Sequence, residues 1–248
     1  MSAERLEGKA FLIAGGSRGI GAAVARRLAA EGAAVGIGFR SAADEAQRLV
    51  AEIGASGGAA QAFQGDIGKA GEAETMVKAC HAALGRLDGL VNTAGVGPYR
   101  PLADIDEAYV AEMFATNVTG AAMLTKAAAA LLPSPGGRIV HFASRLAFSP
   151  IPNSTVYAAS KAAVIALTHG FAKELGPKGI TVNAIAPGVI ETDMTTAIIA
   201  ERGDGIRAMT PLGRIGQPDD IAGIVAFLVS PDSGWITGRT IIADGGYN

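Results

Sequence analysis

The sequence predicts an α/β protein: one domain over residues 1–248, built on a doubly wound parallel sheet of seven strands with helices on both faces. Three observations predict it. Short segments rich in Val, Ile and Ala alternate along the chain with longer segments of helical composition. Such strands suit a sheet covered on both faces, which right-handed helical crossovers supply. No linker, composition break or internal repeat divides the 248 residues, a length that suits one large core.

In chain order, Lys9–Ala14 is a short apolar strand running into a glycine-punctuated turn, and the Ala-rich stretch that follows makes a helix over Gly19–Glu31. Ala34–Phe39 is the second strand, and Ala42–Ser56 a helix closed by the loop Gly54–Ala59. Ala60–Gln64 is the third strand, Lys69–Leu84 a helix, and Gly89–Asn92 the fourth strand. One long helix is expected over Glu107–Leu132, ended by the Pro- and Gly-rich loop Pro133–Gly137. Arg138–Ala143 is the fifth strand, Ser154–Leu175 a helix and Thr181–Ala186 the sixth strand. Met194–Thr210 has no strand pattern and follows the sixth strand, on the side where such sheets bind ligands. It is expected to be a mobile lid, at about residues 193–210, the alternative being an ordinary surface excursion. A helix over Asp219–Val229 and a last strand over Thr240–Ala243 complete the fold.

Composition excludes several classes. A net charge of −2 provides no field for nucleic acid or an anionic membrane. Apolar stretches are interrupted before they reach membrane length. Met1–Gly8 is too charged to begin a signal peptide. One cysteine, Cys80, excludes an intramolecular disulfide and suits a reducing cytoplasm, and its mid-helix place argues against catalysis. His81 reads as surface, and His141 and His169 as isolated; no metal-ligand spacing is present.

Two motifs carry chemistry. The turn GGSRGIG lies between a strand and a helix, with Gly15, Gly19 and Gly21 at positions where backbone N–H groups can approach a pyrophosphate at a helix N-terminus. Its spacing, Gly-x-x-x-Gly-x-Gly, departs from Gly-x-Gly-x-x-Gly. Tyr157 and Lys161, four residues apart, share one helix face. A nearby ammonium favours phenolate, so the expected effect of Lys161 is a lowered Tyr157 pKa and a pair fit for acid/base work on a carbonyl or alcohol. Ser144 lies upstream, just after the fifth strand.

Gly15–Gly21, Asp66-Ile67, Asn92-Thr93-Ala94-Gly95, Asn117, Ser144, Tyr157, Lys161, Pro187-Gly188 and Thr192 run in the order of the short-chain dehydrogenase/reductase superfamily, which this chain resembles over nearly its whole length. The pattern is most similar to 3-oxoacyl-carrier-protein reductases and related ketoreductases, a Rossmann-like fold. Two departures, Ala14 for Thr and Thr93 for Asn, are expected to loosen hydrogen bonds around the central strands. The resemblance implies Ser144, Tyr157, Lys161 and Asn117 as catalytic residues, with Asn117 anchoring water that links Lys161 to solvent. It implies cofactor contacts from Gly15, Ser17, Arg18, Gly19, Ile20 and Gly21; from Asp66, Ile67, Asn92, Ala94 and Gly95; and from Tyr157, Lys161, Pro187, Gly188, Ile190 and Thr192. Lys161 would hold the nicotinamide ribose and Thr192 the carboxamide.

The second strand ends at Phe39-Arg40, where an NAD-preferring fold places an acid for the ribose 2′-hydroxyl. Arg40 and Arg18 can pair with a 2′-phosphate, which favours NADP(H); each can instead be a solvated surface charge. The expected activity is hydride transfer between NADPH and a carbonyl or secondary alcohol, with a small or cyclic ketone preferred. Val96, Pro98, Arg145, Leu146, Phe148, Val189, Met194, Ile198 and Met209 would make a largely apolar pocket wall. A carrier-bound 3-oxoacyl chain is the alternative substrate, weakened because only Lys126 and Lys178 offer bases for an acidic carrier. A non-catalytic NADP(H)-binding sensor is the alternative of another class, although nothing in packing would then need Ser, Tyr and Lys together. The chain leaves no room for the larger substrate domain of an epimerase. Ala- and Gly-rich helices over Glu107–Leu132 and Ser154–Leu175 permit close self-association, so a cytoplasmic homotetramer is expected, with a dimer as fallback.

Overall fold

The computed structural model describes residues 5–247; Met1–Glu4 of the charged N-terminal segment and Asn248 lie outside the described residues. All seven expected strands form, each within one residue of its expected bounds: β1 Ala10–Ala14, β2 Ala34–Phe39, β3 Ala59–Gln64, β4 Gly89–Asn92, β5 Arg138–Phe142, β6 Thr181–Pro187 and β7 Thr240–Ala243. They make one sheet in the order β3-β2-β1-β4-β5-β6-β7, with every pairing parallel. The helices are α1 Gly19–Ala30, α2 Ala43–Ala55, α3 Glu72–Leu84, α4 Glu107–Phe114, α5 Ala121–Ala129, α6 Thr155–Leu175, α7 Thr196–Met209 and α8 Pro218–Val229.

The two-residue period of the strands divides the core. Phe11 and Ile13 of β1 pack with Val35, Val140 and the α1/α8 side chains Val24 and Val225 on one face. Leu12 and Ala14 pack with Val77 and Cys80 of α3, Leu124 of α5 and Val182 on the other. Burial pushes the Cys80 thiol up to about 12, which makes it an inert packing residue as the sequence implies. α8 starts cleanly because Pro218 stands in its first turn and the Asp220 carboxylate accepts from Gln217 N at 2.7 Å.

Two expectations need correction. The single helix over Glu107–Leu132 is broken by a π-helical turn at Ala115–Gly120, between α4 and α5. The extra residue in that turn lets the Asn117 side chain leave the helix and bond the backbone of Val96. Lys69–Gly71 also stays outside α3, because Gly71 adopts φ 81°, a left-handed conformation that opens the helix only at Glu72. The segment expected as a lid contains α7, with Met194 and Met209 exposed at its two ends.

His141 is not isolated. It points from β5 to α5, where its Nε2 lies 3.0 Å from Thr125 Oγ1. The Thr125 hydroxyl donates to Ala121 O at 2.9 Å, so it accepts from His141, which fixes the Nε2–H tautomer and leaves Nδ1 bare. Burial first, and the Lys161 charge second, push His141 down to about 4. The unfolded chain therefore takes up this proton before the folded one does. The His141 contribution to stability is complete above pH 6.5 and declines as pH falls toward 4. Denaturant titrations should show wild-type stability falling by up to about 1.4 kcal/mol per pH unit in this window, over and above the loss in His141→Leu. Parallel curves for the two proteins would contradict it.

Candidate active site

Because every strand is parallel, all seven end at one edge, and the strand order reverses between β1 and β4. The glycine turn after β1 sits in that crevice. Gly15 has φ 79°, and a Cβ there would lie 2.6 Å from Ala94 N, so the turns after β1 and β4 touch backbone to backbone. A Cβ on Gly21 would lie 2.2 Å from Gly15 O, which only glycine permits at this point of α1. Thr192, from the loop after β6, sits over Gly19, with its methyl 3.2 Å from where a Cβ would be. Ile190 is tied to Gly216 by a β-bridge, and Thr195 Oγ1 accepts from Thr192 N at 3.1 Å. Asn92 Oδ1, buried at the end of β4, has no hydrogen-bond partner among the described residues. An orphaned acceptor beside a cradle that a Cβ would fill suits a polar ligand with a phosphate-bearing arm.

At the edge of the crevice, Arg40 is exposed at the end of β2, where Gly16 N donates to Gly38 O at 2.9 Å. Phe39 is buried and its side chain has no acceptor. Asp66 Oδ1 accepts from Gly68 N at 3.0 Å, which shapes the turn after β3, and Ile67 packs against Gly120 in the π turn. Arg18 is 3.5 Å from Asp193, an exposed pair that water weakens to little net energy.

The polar cluster lies beside this cradle. Ser144 follows β5 and accepts from Leu146 N at 3.2 Å, capping the short 3-10 turn Arg145–Ala147. Tyr157 stands in the first turn of α6 and Lys161 one turn later. Lys161 Nζ donates to Phe142 O at 2.8 Å, the last residue of β5, and lies 3.2 Å from a Cβ position on Gly95. Asn117 Oδ1 accepts from Val96 N at 2.9 Å, while its Nδ2 donates to Val96 O at 2.9 Å and to Ser160 Oγ at 3.0 Å.

Electrostatics here differ from the sequence expectation. Burial pushes the Tyr157 phenol up to about 12, with Tyr99 adding to the rise and a Ser144 hydrogen bond opposing it. Lys161 does not lower it: the ammonium points to the Phe142 carbonyl, 5.8 Å from the phenol ring centroid. Burial pushes Lys161 itself down to about 8. Desolvation outweighs charge pairing at both groups. Tyr157 thus stays protonated at neutral pH.

The sequence from residue 14 to residue 248 matches the family model described as enoyl-(acyl carrier protein) reductase. An uncharacterized oxidoreductase of Methylorubrum extorquens is 43% identical over 98% of both chains. A hydroxynaphthalene reductase-like protein of Metarhizium robertsii is 38% identical, covering 97% of this chain and 95% of its own. A short-chain dehydrogenase of Burkholderia cenocepacia, crystallised in complex with NADP, superposes with TM-score 0.94 at 42% identity, over 99% of this chain and 100% of its own. This chain belongs to the short-chain dehydrogenase/reductase family.

Within that family frame, the two departures do not loosen the centre. Thr93 Oγ1 donates to Ala14 O at 2.8 Å and Gly15 O at 3.0 Å, so it stitches the two turns together itself. Three participants escaped the sequence reading. Ser160 links Asn117 to α6 through its bond to Tyr157 O at 2.7 Å, and its place three residues after Tyr157 on the buried face was the available signal. Tyr99 packs on Tyr157 with the rings tilted by 46° and their centroids 5.8 Å apart, and Tyr247 carries the Arg145 guanidinium 3.8 Å above its ring. No sequence pattern connects those residues. Among the described residues there is no cluster able to hold a metal ion, and no helix is long and apolar enough to cross a membrane.

Proposed function

We propose that this short-chain dehydrogenase/reductase is an NADPH-dependent carbonyl reductase acting on a small or cyclic ketone. One observation carries the reading: a protonated phenol and a hydroxyl, Tyr157 and Ser144, face the crevice beside the glycine cradle, with Lys161 fixed on Phe142 O next to them. The cradle fits a dinucleotide. Gly15, Ser17, Arg18, Gly19, Ile20 and Gly21 would hold the pyrophosphate arm, Asp66, Ile67, Asn92, Ala94 and Gly95 the adenosine side, and Pro187, Gly188, Ile190 and Thr192 the nicotinamide end. Arg40, with no carboxylate paired to it among the described residues and Phe39 in place of an acid, would take the 2′-phosphate. Arg18 would join it by exchanging its weak pair with Asp193. A bound NADPH supplies the hydride. Ser144 orients the carbonyl oxygen, and Tyr157 Oη donates the proton as charge develops there. Lys161 holds positive charge near that oxygen, and Asn117 keeps the Val96 backbone and α6 in register.

A phenol held at about 12 keeps its proton at neutral pH, so Tyr157 rests in the form that carbonyl reduction uses. The hydroxynaphthalene reductase-like relative supports a cyclic ketone. A carrier-bound acyl substrate is the second reading, favoured by the description of the matching family model. α7 would act as the lid. Trp235, 99% exposed, and Ile242 of edge strand β7, 49% exposed, support self-association as a homotetramer or dimer.

The reading is tested by following NADPH oxidation with a panel of linear ketones, cyclic ketones and 3-oxoacyl thioesters. Turnover of small or cyclic ketones is expected; turnover of thioesters alone would transfer the assignment to the second reading. Tyr157→Phe should lower kcat by at least about a hundredfold while NADPH binding changes little.

The pH profile follows from Lys161. Its charge is present below about 8 and lost above it, so kcat/KM for NADPH should fall as pH rises through about 8. A flat profile from pH 7 to about 9 would contradict the role given to that ammonium.

Cofactor choice is tested at Arg40. NADPH should exceed NADH in kcat/KM by roughly ten- to a hundredfold, and Arg40→Leu should lower the NADPH value while leaving NADH nearly unchanged. An unchanged ratio in the variant would remove Arg40 from the 2′-phosphate.

A further inference from the structure

Arg145 is the one strongly charged side chain in the expected pocket wall, and its surroundings are unusual for a guanidinium. It is only 8% exposed, yet among the described residues it makes no ion pair and donates no hydrogen bond. Its contact is the face of Tyr247, 3.8 Å from the ring centroid. Burying an unpaired cation is unfavourable, and a cation–π contact recovers only part of the lost hydration. Arg138 is the contrast: also partly buried, it donates to Gly136 O at 3.0 Å and Gly137 O at 3.1 Å. The Arg145 N–H donors are thus left open to a ligand.

Arg145 immediately follows Ser144, and Ser144 N-caps the 3-10 turn on which Arg145 rides, so the hydroxyl and the guanidinium are fixed relative to each other. The Arg145 charge opposes the burial-driven rise of the Tyr99 pKa, which puts it close to that phenol. Tyr99 in turn packs against Tyr157, ring tilted on ring. The cation is therefore linked to Ser144 through the shared 3-10 turn and to Tyr157 through Tyr99. Tyr247 and Tyr99 stiffen the cation, and Leu146 leaves no competing acid on the turn.

We infer that Arg145 is a substrate-binding residue for a carboxylate, and that the ketone reduced here is a short oxo acid. The inference rests on the reductase reading above and narrows its substrate class. A planar guanidinium with open N–H donors matches a carboxylate in a two-bond fork. Arg145 lies near Tyr99, whose ring packs on Tyr157, so a carboxylate on the guanidinium fits a substrate whose carbonyl is only a few atoms away, as in 2-oxo and 3-oxo acids. Hydride goes to the carbonyl carbon, the Tyr157 proton to its oxygen, and the carboxylate is unchanged.

The experiment compares 2-oxo and 3-oxo acids with their neutral amides, which keep the same carbonyl and nearly the same shape. In the wild type at least one acid should exceed its amide in kcat/KM by about ten- to a hundredfold. Arg145→Leu should bring that ratio close to one, chiefly through KM, and Arg145→Lys should restore part of it. Thermal melting and NADPH binding of each variant check the fold. Acids and amides used equally by the wild type, or a ratio that survives Arg145→Leu, would overturn the inference. If neither acid nor amide is reduced, the oxo-acid substrate is overturned, while the reductase reading stands or falls on the ketone panel above. Calorimetry of butyrate added to the protein with NADP⁺ then decides the second question. Butyrate binding that is lost in Arg145→Leu keeps the carboxylate site, and no binding in the wild type removes it.

Discussion

The parallel register is the constraint on which the rest of this molecule depends. Seven strands running the same way deliver seven carboxyl ends to one edge, and each strand needs a crossover to return the chain. Helices cover both faces as a result, so the sheet offers polar chemistry no other opening. The reversal of strand order between β1 and β4 then separates two turns enough to admit a ligand while their backbones still touch at Gly15 and Ala94.

Desolvation organises the chemistry at that edge. His141 lies between β5 and α5, Tyr157 and Lys161 on the neighbouring α6, and burial drives each toward its uncharged form. The results are not equivalent. His141 stays neutral, so it adds no second cation beside Lys161. Tyr157 keeps its proton. Lys161 alone remains balanced near neutrality, the backbone carbonyl of Phe142 replacing part of its water. Asn117 supports this from a distance: the π turn releases its side chain to hold Val96 and Ser160 together, joining the turn after β4 to the helix that carries Tyr157 and Lys161.

The fold is shared by enzymes of many substrates, and what distinguishes this chain lies in side chains around the crevice mouth. Tyr99, Arg145 and Tyr247 come from three separate segments and make one aromatic and cationic wall. A small apolar cavity of about 140 Å³, lined by Val189, Ile206, Leu212 and Tyr247, opens beside it at the base of α7.

The sequence by itself determined the strands, the single sheet, the glycine cradle and the Ser144–Tyr157–Lys161 set. Each of these is written locally: in apolar period, in glycines where a Cβ will not fit, or in the spacing of one helical turn. Only the tertiary structure decided the sign of the Tyr157 shift, because charge proximity is visible in a Tyr-x-x-x-Lys spacing and desolvation is not. It also decided the break in the helix after Glu107, where Asn117 prefers a backbone partner twenty-one residues away to a regular turn. Thr93 could be read as a lost asparagine until its hydroxyl was placed on two carbonyls. Arg145 could be recognised as a charge in an apolar wall, but its lack of a partner depends on every segment that folds around it, and no local pattern records that.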